Sequence, residues 1–340
     1  LVNPAVNPSN VNLDDGDRNF SRGLVSNRLD WLGELDVTYQ NIGARVTAAA
    51  WYDSIYNRGN DNQSQGTVNS FSVPAGSFTD ATRELHGRKA ELLEAFVFGR
   101  WNLDGKDASL RLGRHAFLWG ESLFFGSNGI AAAQAPVDAI KALSVPNTQF
   151  KELLRPVNQV SGQLALTPRV SVGGYYQFEW ERNRLPASGS FFSFNDFLDA
   201  GGERLYAGPG QAFFRRNDLE GRNRGQGGLQ LRWRMEQPDI DFGFYAVQYH
   251  DKSPQVYVYP GTNVNPAIGK FGEYALVYPE KIRAFGASFS TTLFDANVAG
   301  EVSVRNNAPL VSTAAAVLGP GADNASGGLY AVGRTAHAQV

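Results

Sequence analysis

The chain predicts an all-β fold, an antiparallel transmembrane β-barrel, and three observations carry that reading. First, runs of about ten residues alternate strictly between apolar and polar side chains, the period of a strand with one greasy and one wet face. Second, these runs pair into hairpins, and short turns alternate with long connections along the whole chain. Third, the composition suits a barrel, with 37 Gly, 22 Phe and 13 Tyr but no Cys. No run of eighteen apolar residues occurs, so helical spans are excluded, whereas a barrel needs apolar residues only at alternate positions. A soluble cysteine-free β protein is the alternative that composition leaves open. The net charge of −2 argues against a nucleic-acid footprint or a polybasic membrane patch.

Residues 1–27 are rich in Asn, Asp and Pro and read as a loop. Asp14, Asp15 and Asp17 sit close in sequence, but their spacing lacks the pattern and terminal Glu of a calcium-binding EF-hand, so a solvated acidic turn is expected. The first strand places Leu29, Trp31, Gly33, Leu35, Val37 and Tyr39 on one face and Arg28, Asp30, Glu34, Asp36 and Thr38 on the other. After a turn at Asn41, the return strand sets Ile42, Ala44, Val46, Ala48, Ala50 and Tyr52 against Arg45, Thr47 and Asp53, with Trp51 on the polar side.

Residues 53–88 read as a connection too polar to form a core. A second hairpin, 91–103 with 108–115, turns at Asp104 and Gly105. In its first strand Leu93, Ala95, Val97 and Trp101 face away from Glu94 and Arg100, yet Phe96 and Phe98 share the charged side. The third hairpin, 159–181, turns at Thr167, Pro168 and Arg169. Its second strand sets Val170, Val172, Gly174, Tyr176, Phe178 and Trp180 against Gln177, Glu179 and Glu181. A loop over 182–224 follows, with Phe191, Phe192, Phe194 and Phe197 clustered in it. The fourth hairpin, 226–234 with 240–249, opposes Leu229, Leu231 and Trp233 to Gln230, Arg232 and Arg234; its return strand, apolar on both sides, has no readable orientation. The fifth, 282–293 with 296–305, turns at Phe294 and Asp295 and sets Val302 and Val304 against Glu301 and Arg305. A further strand is expected to begin at Ala336, and the 340 residues read as one partial barrel domain of a longer polypeptide.

One long connection differs from the rest. Residues 116–158 are largely apolar and include Phe117, Leu118, Trp119, Phe124 and Phe125. Two short helices are predicted, one from Pro136 carrying Val137, Ile140 and Leu143, the other over 148–154 with Asn147 as N-cap. An apolar helical insert is expected to fold into the barrel as a constriction or plug; packing over the rim or against a second subunit is the alternative. The lumen would then be lined by Asp30, Glu34, Asp36, Arg45, Gln177, Glu179, Arg232, Arg234, Glu301 and Arg305. Phe117, Leu118, Trp119, Phe124, Phe125, Ile140 and Leu143 would line an apolar path. His86, His115, His250 and His337 are too scattered to suggest a metal pair, no nucleotide-binding loop or nucleophile elbow occurs, and neither enzymatic chemistry nor a cofactor is expected.

The runs Leu13–Phe20, Ala50–Asp53, Leu85–Leu92, Gly113–His115, Trp119–Gly126, Gln134–Asp138 and Tyr176–Trp180 together resemble an outer-membrane family of Gram-negative bacteria that is a domain of unknown function. The resemblance covers nearly the whole chain. It implies a bacterial outer-membrane location, a longer barrel with short periplasmic turns and long external loops, and genetic association with an inner-membrane exporter of the resistance-nodulation-division type and a periplasmic carrier resembling a lipoprotein-sorting factor. Those neighbours imply a channel or conduit for hydrophobic or amphipathic molecules. A structural barrel whose external loops make subunit or cell contacts is the second reading. The family offers no established binding residues to carry over.

Overall fold

A computed structural model describes residues 11–121, 126–145, 147–148, 150–311 and 313–340. Most of the chain is antiparallel sheet. Five hairpins account for ten strands: β1 (Arg28–Tyr39) with β2 (Ile42–Asp53), β3 (Arg88–Leu103) with β4 (Lys106–His115), β5 (Val157–Thr167) with β6 (Val170–Gln177), β9 (Gln226–Glu236) with β10 (Asp239–Tyr249), and β13 (Ile282–Leu293) with β14 (Ala296–Pro309). With β16 (Val332–Gln339) they form one curled eleven-stranded sheet in the order β1-β2-β3-β4-β5-β6-β9-β10-β13-β14-β16. Among the described residues no helix is long and apolar enough to cross a membrane.

The register follows the alternation. Asp36 stands opposite Arg45, and Val37 opposite Ala44. One face of the sheet is exposed and apolar: Leu35, Val37, Val46, Tyr176, Phe178, Leu231 and Val302 are all between 39 and 62% exposed. On the other face Gln177 and Glu301 are 1% and 3% exposed, because the rest of the chain packs there. The return strand β10 now has an orientation: Phe242 and Phe244 lie opposite Trp233 and Leu231 on the exposed face, and Tyr245, Val247 and Tyr249 point to the covered one. In β3 the expected phase fails at one residue. A bulge between Leu92 and Glu94 pairs Ala48 with Leu92 and Thr47 with Glu94, so Leu92 rather than Leu93 joins Ala95 and Val97, and Glu91 and Glu94 share the covered face.

All short turns lie at one end of the sheet and all long connections at the other, where they build more structure than expected. Five further strands, β7 (Arg204–Gly208), β8 (Gln211–Arg215), β11 (Gln255–Asn265), β12 (Lys270–Val277) and β15 (Ala315–Ala316), form a second sheet in the order β15-β11-β12-β8-β7. Two of its pairings, β12 with β8 and β11 with β15, are parallel. Its core is aromatic: Trp180, Phe213, Tyr274, Leu276 and Tyr278 pack together. Trp180 therefore lies in this cap, not on the exposed face of β6, which ends at Gln177.

Two polar stretches also depart from expectation. Ile55, Tyr56 and Phe78 of the 53–88 connection are buried with Phe20 against them, so few but well-placed apolar residues do form a small core there. The acidic turn is a short helix, Asp15–Arg18, with Asp15 only 5% exposed.

Candidate functional site

The covered face of the large sheet holds the first half of the insert. Ile130 is fully buried among Tyr175, Tyr245, Val247, Tyr249, Ile282 and Ala284 of β6, β10 and β13, and Phe117 and Trp119 pack on the same cluster. Removing a side chain of that size from water contributes about 1.5–3 kcal/mol. Polar contacts set the position. The Glu301 carboxylate accepts the backbone N–H groups of Ile130 (2.6 Å) and Glu121 (3.0 Å). Arg305 Nη2 donates to the carbonyl of Gly129 at 3.0 Å and Ser303 Oγ to that of Asn128 at 3.2 Å. Gln134 ties the segment back on itself: its Oε1 accepts the Trp119 N–H at 2.6 Å, and its carbonyl accepts from Gln177 Nε2. Gly120 adopts φ +89°, and a Cβ there would collide with Glu301 Oε2, so glycine is required on both counts.

The second half of the insert goes elsewhere. Its first helix is Ala139–Ser144, starting three residues after the expected first residue Pro136, because Asp138 caps it by accepting the Lys141 N–H. Asn147 lies at φ +60°, three residues before the helix Phe150–Leu153, and is no N-cap. Ile140 packs with Leu85 and Ala187 of the cap, and Leu143 is 47% exposed, so the structure sets both apart from Phe117 and Trp119. Phe124 and Phe125 lie outside the described residues.

Beside the insert, the covered face opens into two adjoining clefts. One, of about 240 Å³, is lined by Phe117, Leu118, Trp119, Glu121, Gln230, Arg232 and Tyr245. The other, of about 250 Å³, is lined by Asp36, Arg45, Glu94, Phe96, Phe98 and Arg100, and the two share Ser109 and Arg111. An unbroken series of ring contacts runs along them: Phe98 to Phe96 (6.0 Å), Phe96 to His115 (5.4 Å), His115 to Phe117 (6.3 Å), Phe117 to Trp119 (5.4 Å) and Trp119 to Tyr245 (6.3 Å). His115 Nε2 is 2.7 Å from Ser161 Oγ and its Nδ1 is 3.0 Å from the Gly113 carbonyl, which fixes the ring within that series.

Charges flank the rings in opposed pairs. Arg45 lies 2.7 Å from Asp36, 3.8 Å from Glu34 and 3.9 Å from Glu94. Asp30 pairs with Arg28 at 2.6 Å at the cap end of β1. Arg234 pairs with Asp239 at 3.1 Å beside a short turn, away from the clefts. Glu179 lies past the end of β6 and binds Arg114 (2.8 Å) and Asn158, whose positions face opposite to His115 and Gln159. It belongs to a rim cluster in which Glu181 joins Arg114 and Arg155. Sequence pattern gives Ser303 no role and Ile130 none beyond the short apolar run at 130–133, and Gln134 enters only within the run Gln134–Asp138 that carries the family resemblance.

Fold and site together define a curled β-sheet with an apolar outer face, an occupied inner face and a cap at one end. A family model described as Protein of unknown function (DUF1302) matches residues 1–339. The chain belongs to that family. No curated protein and no solved structure matches it.

Proposed function

We propose that this chain is a Gram-negative outer-membrane β-barrel protein that conducts hydrophobic or amphipathic molecules, in partnership with a periplasmic carrier and an inner-membrane exporter. The ring series from Phe98 to Tyr245, flanked by Arg45, Glu94, Arg111 and Arg232, is the observation that carries this reading. Phe96 and Phe98 in one cleft and Phe117 and Trp119 in the other offer an apolar solute ring surface on either side of the buried His115, and the charges beside them can receive its polar end. The exposed apolar residues on the other face suit contact with lipid, and the short turns suit the periplasmic end. The task is passage rather than turnover.

Reconstituted liposomes test it. Deleting residues 127–147 is expected to raise ion conductance and to slow release of an amphipathic dye. Unchanged conductance in a folded deletion variant would place the insert outside the path and favour a barrel whose cap makes subunit or cell contacts.

A further inference from the structure

We propose that Asp14, Asp15 and Asp196 bind one calcium ion, which clasps the helix Asp15–Arg18 to the loop between β6 and β7. Asp14 and Asp15 are neighbours in the chain and Asp196 is distant from both, yet one oxygen from each lies within 4.8 Å of the others. Oxygens on a shell of about 2.3–2.6 Å around a calcium ion are separated by no more than about 5 Å, so the trio fits one coordination sphere.

The hydrogen bonding leaves these groups half used. Asp196 Oδ2 accepts the Asp15 N–H at 3.2 Å, Asp15 Oδ2 accepts the Asn69 N–H at 2.9 Å, and Asp14 Oδ2 accepts from Arg18 Nε at 2.8 Å. The Oδ1 atom of all three is sealed from solvent with no hydrogen-bond partner. Asp15 and Asp196 are 5% and 0% exposed, and both line a small, partly open cavity of about 20 Å³ with Asn19, Asn60, Ser70 and Thr79. That volume holds a single water-sized occupant.

Charge and chemistry select the occupant. Arg18 is ion-paired with Asp14. Asp15 and Asp196 are buried carboxylates held close together, an arrangement that is costly without a neutralising partner and that a cation relieves. The ligand atoms are all oxygen, with neither sulfur nor imidazole, so a hard cation is preferred to zinc. An irregular set drawn from separate loops suits calcium, which accepts variable geometry, better than magnesium, which demands an octahedron. Helix and loop approach closely here, since a Cβ at Gly16 would stand 2.7 Å from the carbonyl oxygens of both Ser190 and Ser193.

The test uses the full chain in detergent micelles, stripped with a chelator and titrated with calcium alone. One ion per chain is expected, with Asp15→Asn and Asp196→Asn each weakening binding about a hundredfold. Asp17→Asn, in the same acidic stretch but exposed, should bind as the parent does. Calcium should also slow protease cleavage in the parent within residues 54–79, whose Asn69 leans on Asp15, and lose that effect in Asp196→Asn. Should Asp196→Asn fail to fold, Asp14→Asn, whose side chain is partly exposed, supplies the same comparison. No saturable binding up to about 10 mM, or equal affinity in the parent and the folded variants, overturns the assignment. Calcium-independent protection that strengthens in acid would show instead that the buried carboxylates share protons.

Discussion

Replacing Glu301 by Ala strikes the insert at its best-anchored point. In the parent, one carboxylate on β14 satisfies the backbone N–H groups of Ile130 and Glu121, and Glu301 is itself 3% exposed. Removing it leaves two donors without acceptors, and a buried unsatisfied donor costs about 1–3 kcal/mol. The loss in docking free energy is therefore about 2–6 kcal/mol, because the contacts of Arg305 and Ser303 to the neighbouring carbonyls cannot replace an acceptor. Hydrogen exchange at the Ile130 amide reads this directly. If it exchanges through local release of the insert, the lower bound corresponds to a roughly thirtyfold acceleration. The large sheet should keep its protection, since the strand pairings are untouched. Exchange at Ile130 within a factor of about three of the parent would mean that the aromatic cluster alone holds the segment, and the anchoring role assigned to Glu301 would fall.

Three further outcomes are expected. On the proposed membrane reading, Val37→Arg should lower stability in lipid vesicles by about 2–4 kcal/mol if Val37 sits near the bilayer midplane, whereas Asp36→Asn should cost much less; equal losses in urea titrations would reverse the assignment of faces. Single-channel recordings should show weak ion selectivity, because Arg45 is ringed by Glu34, Asp36 and Glu94 instead of lying in a one-sign belt; a strong cation or anion preference would contradict this. Acid should loosen the cap at His86, which is buried, stacked on Tyr56, and accepts the Ala187 N–H through Nε2 at 3.0 Å. Burial lowers its pKa from 6.5 to about 4, so the opened state binds the extra proton between those values. The stabilisation from neutral His86, about 3 kcal/mol, is complete above pH 6.5 and lost as pH falls toward 4; His86→Gln should flatten that part of a stability-versus-pH curve.

The strands and their turns were legible because each hairpin is local: a strand of the large sheet finds its partner within a few residues, and period two settles its faces. The run Glu91-Leu92-Leu93-Glu94 hid its bulge because Leu92 and Leu93 are interchangeable by hydropathy. The cap was illegible for a different reason. β8 pairs with β12 across an intervening hairpin of the large sheet, and a strand as short as β8 carries no period strong enough to announce a distant parallel partner. The clefts fell between these cases. Phe96 and Phe98 were visibly on the charged face, but Ile130 acts through its backbone N–H and its shape, and Gln134 through a side-chain amide that meets the Trp119 N–H of the same segment, neither of which a hydropathy pattern reports. Asp14 and Asp15 read as a solvated turn because their third partner, Asp196, comes from the far side of the chain.

The way the cap is threaded makes it a record of completion. β7 and β8 emerge before β9, β11 and β12 lie between β10 and β13, and β15 follows β14, so the small sheet can close only after most of the large one has been laid down. Its surface is thus a conformational epitope that unfinished molecules lack. A binding reagent raised against it would count mature copies and pass over chains stalled in assembly.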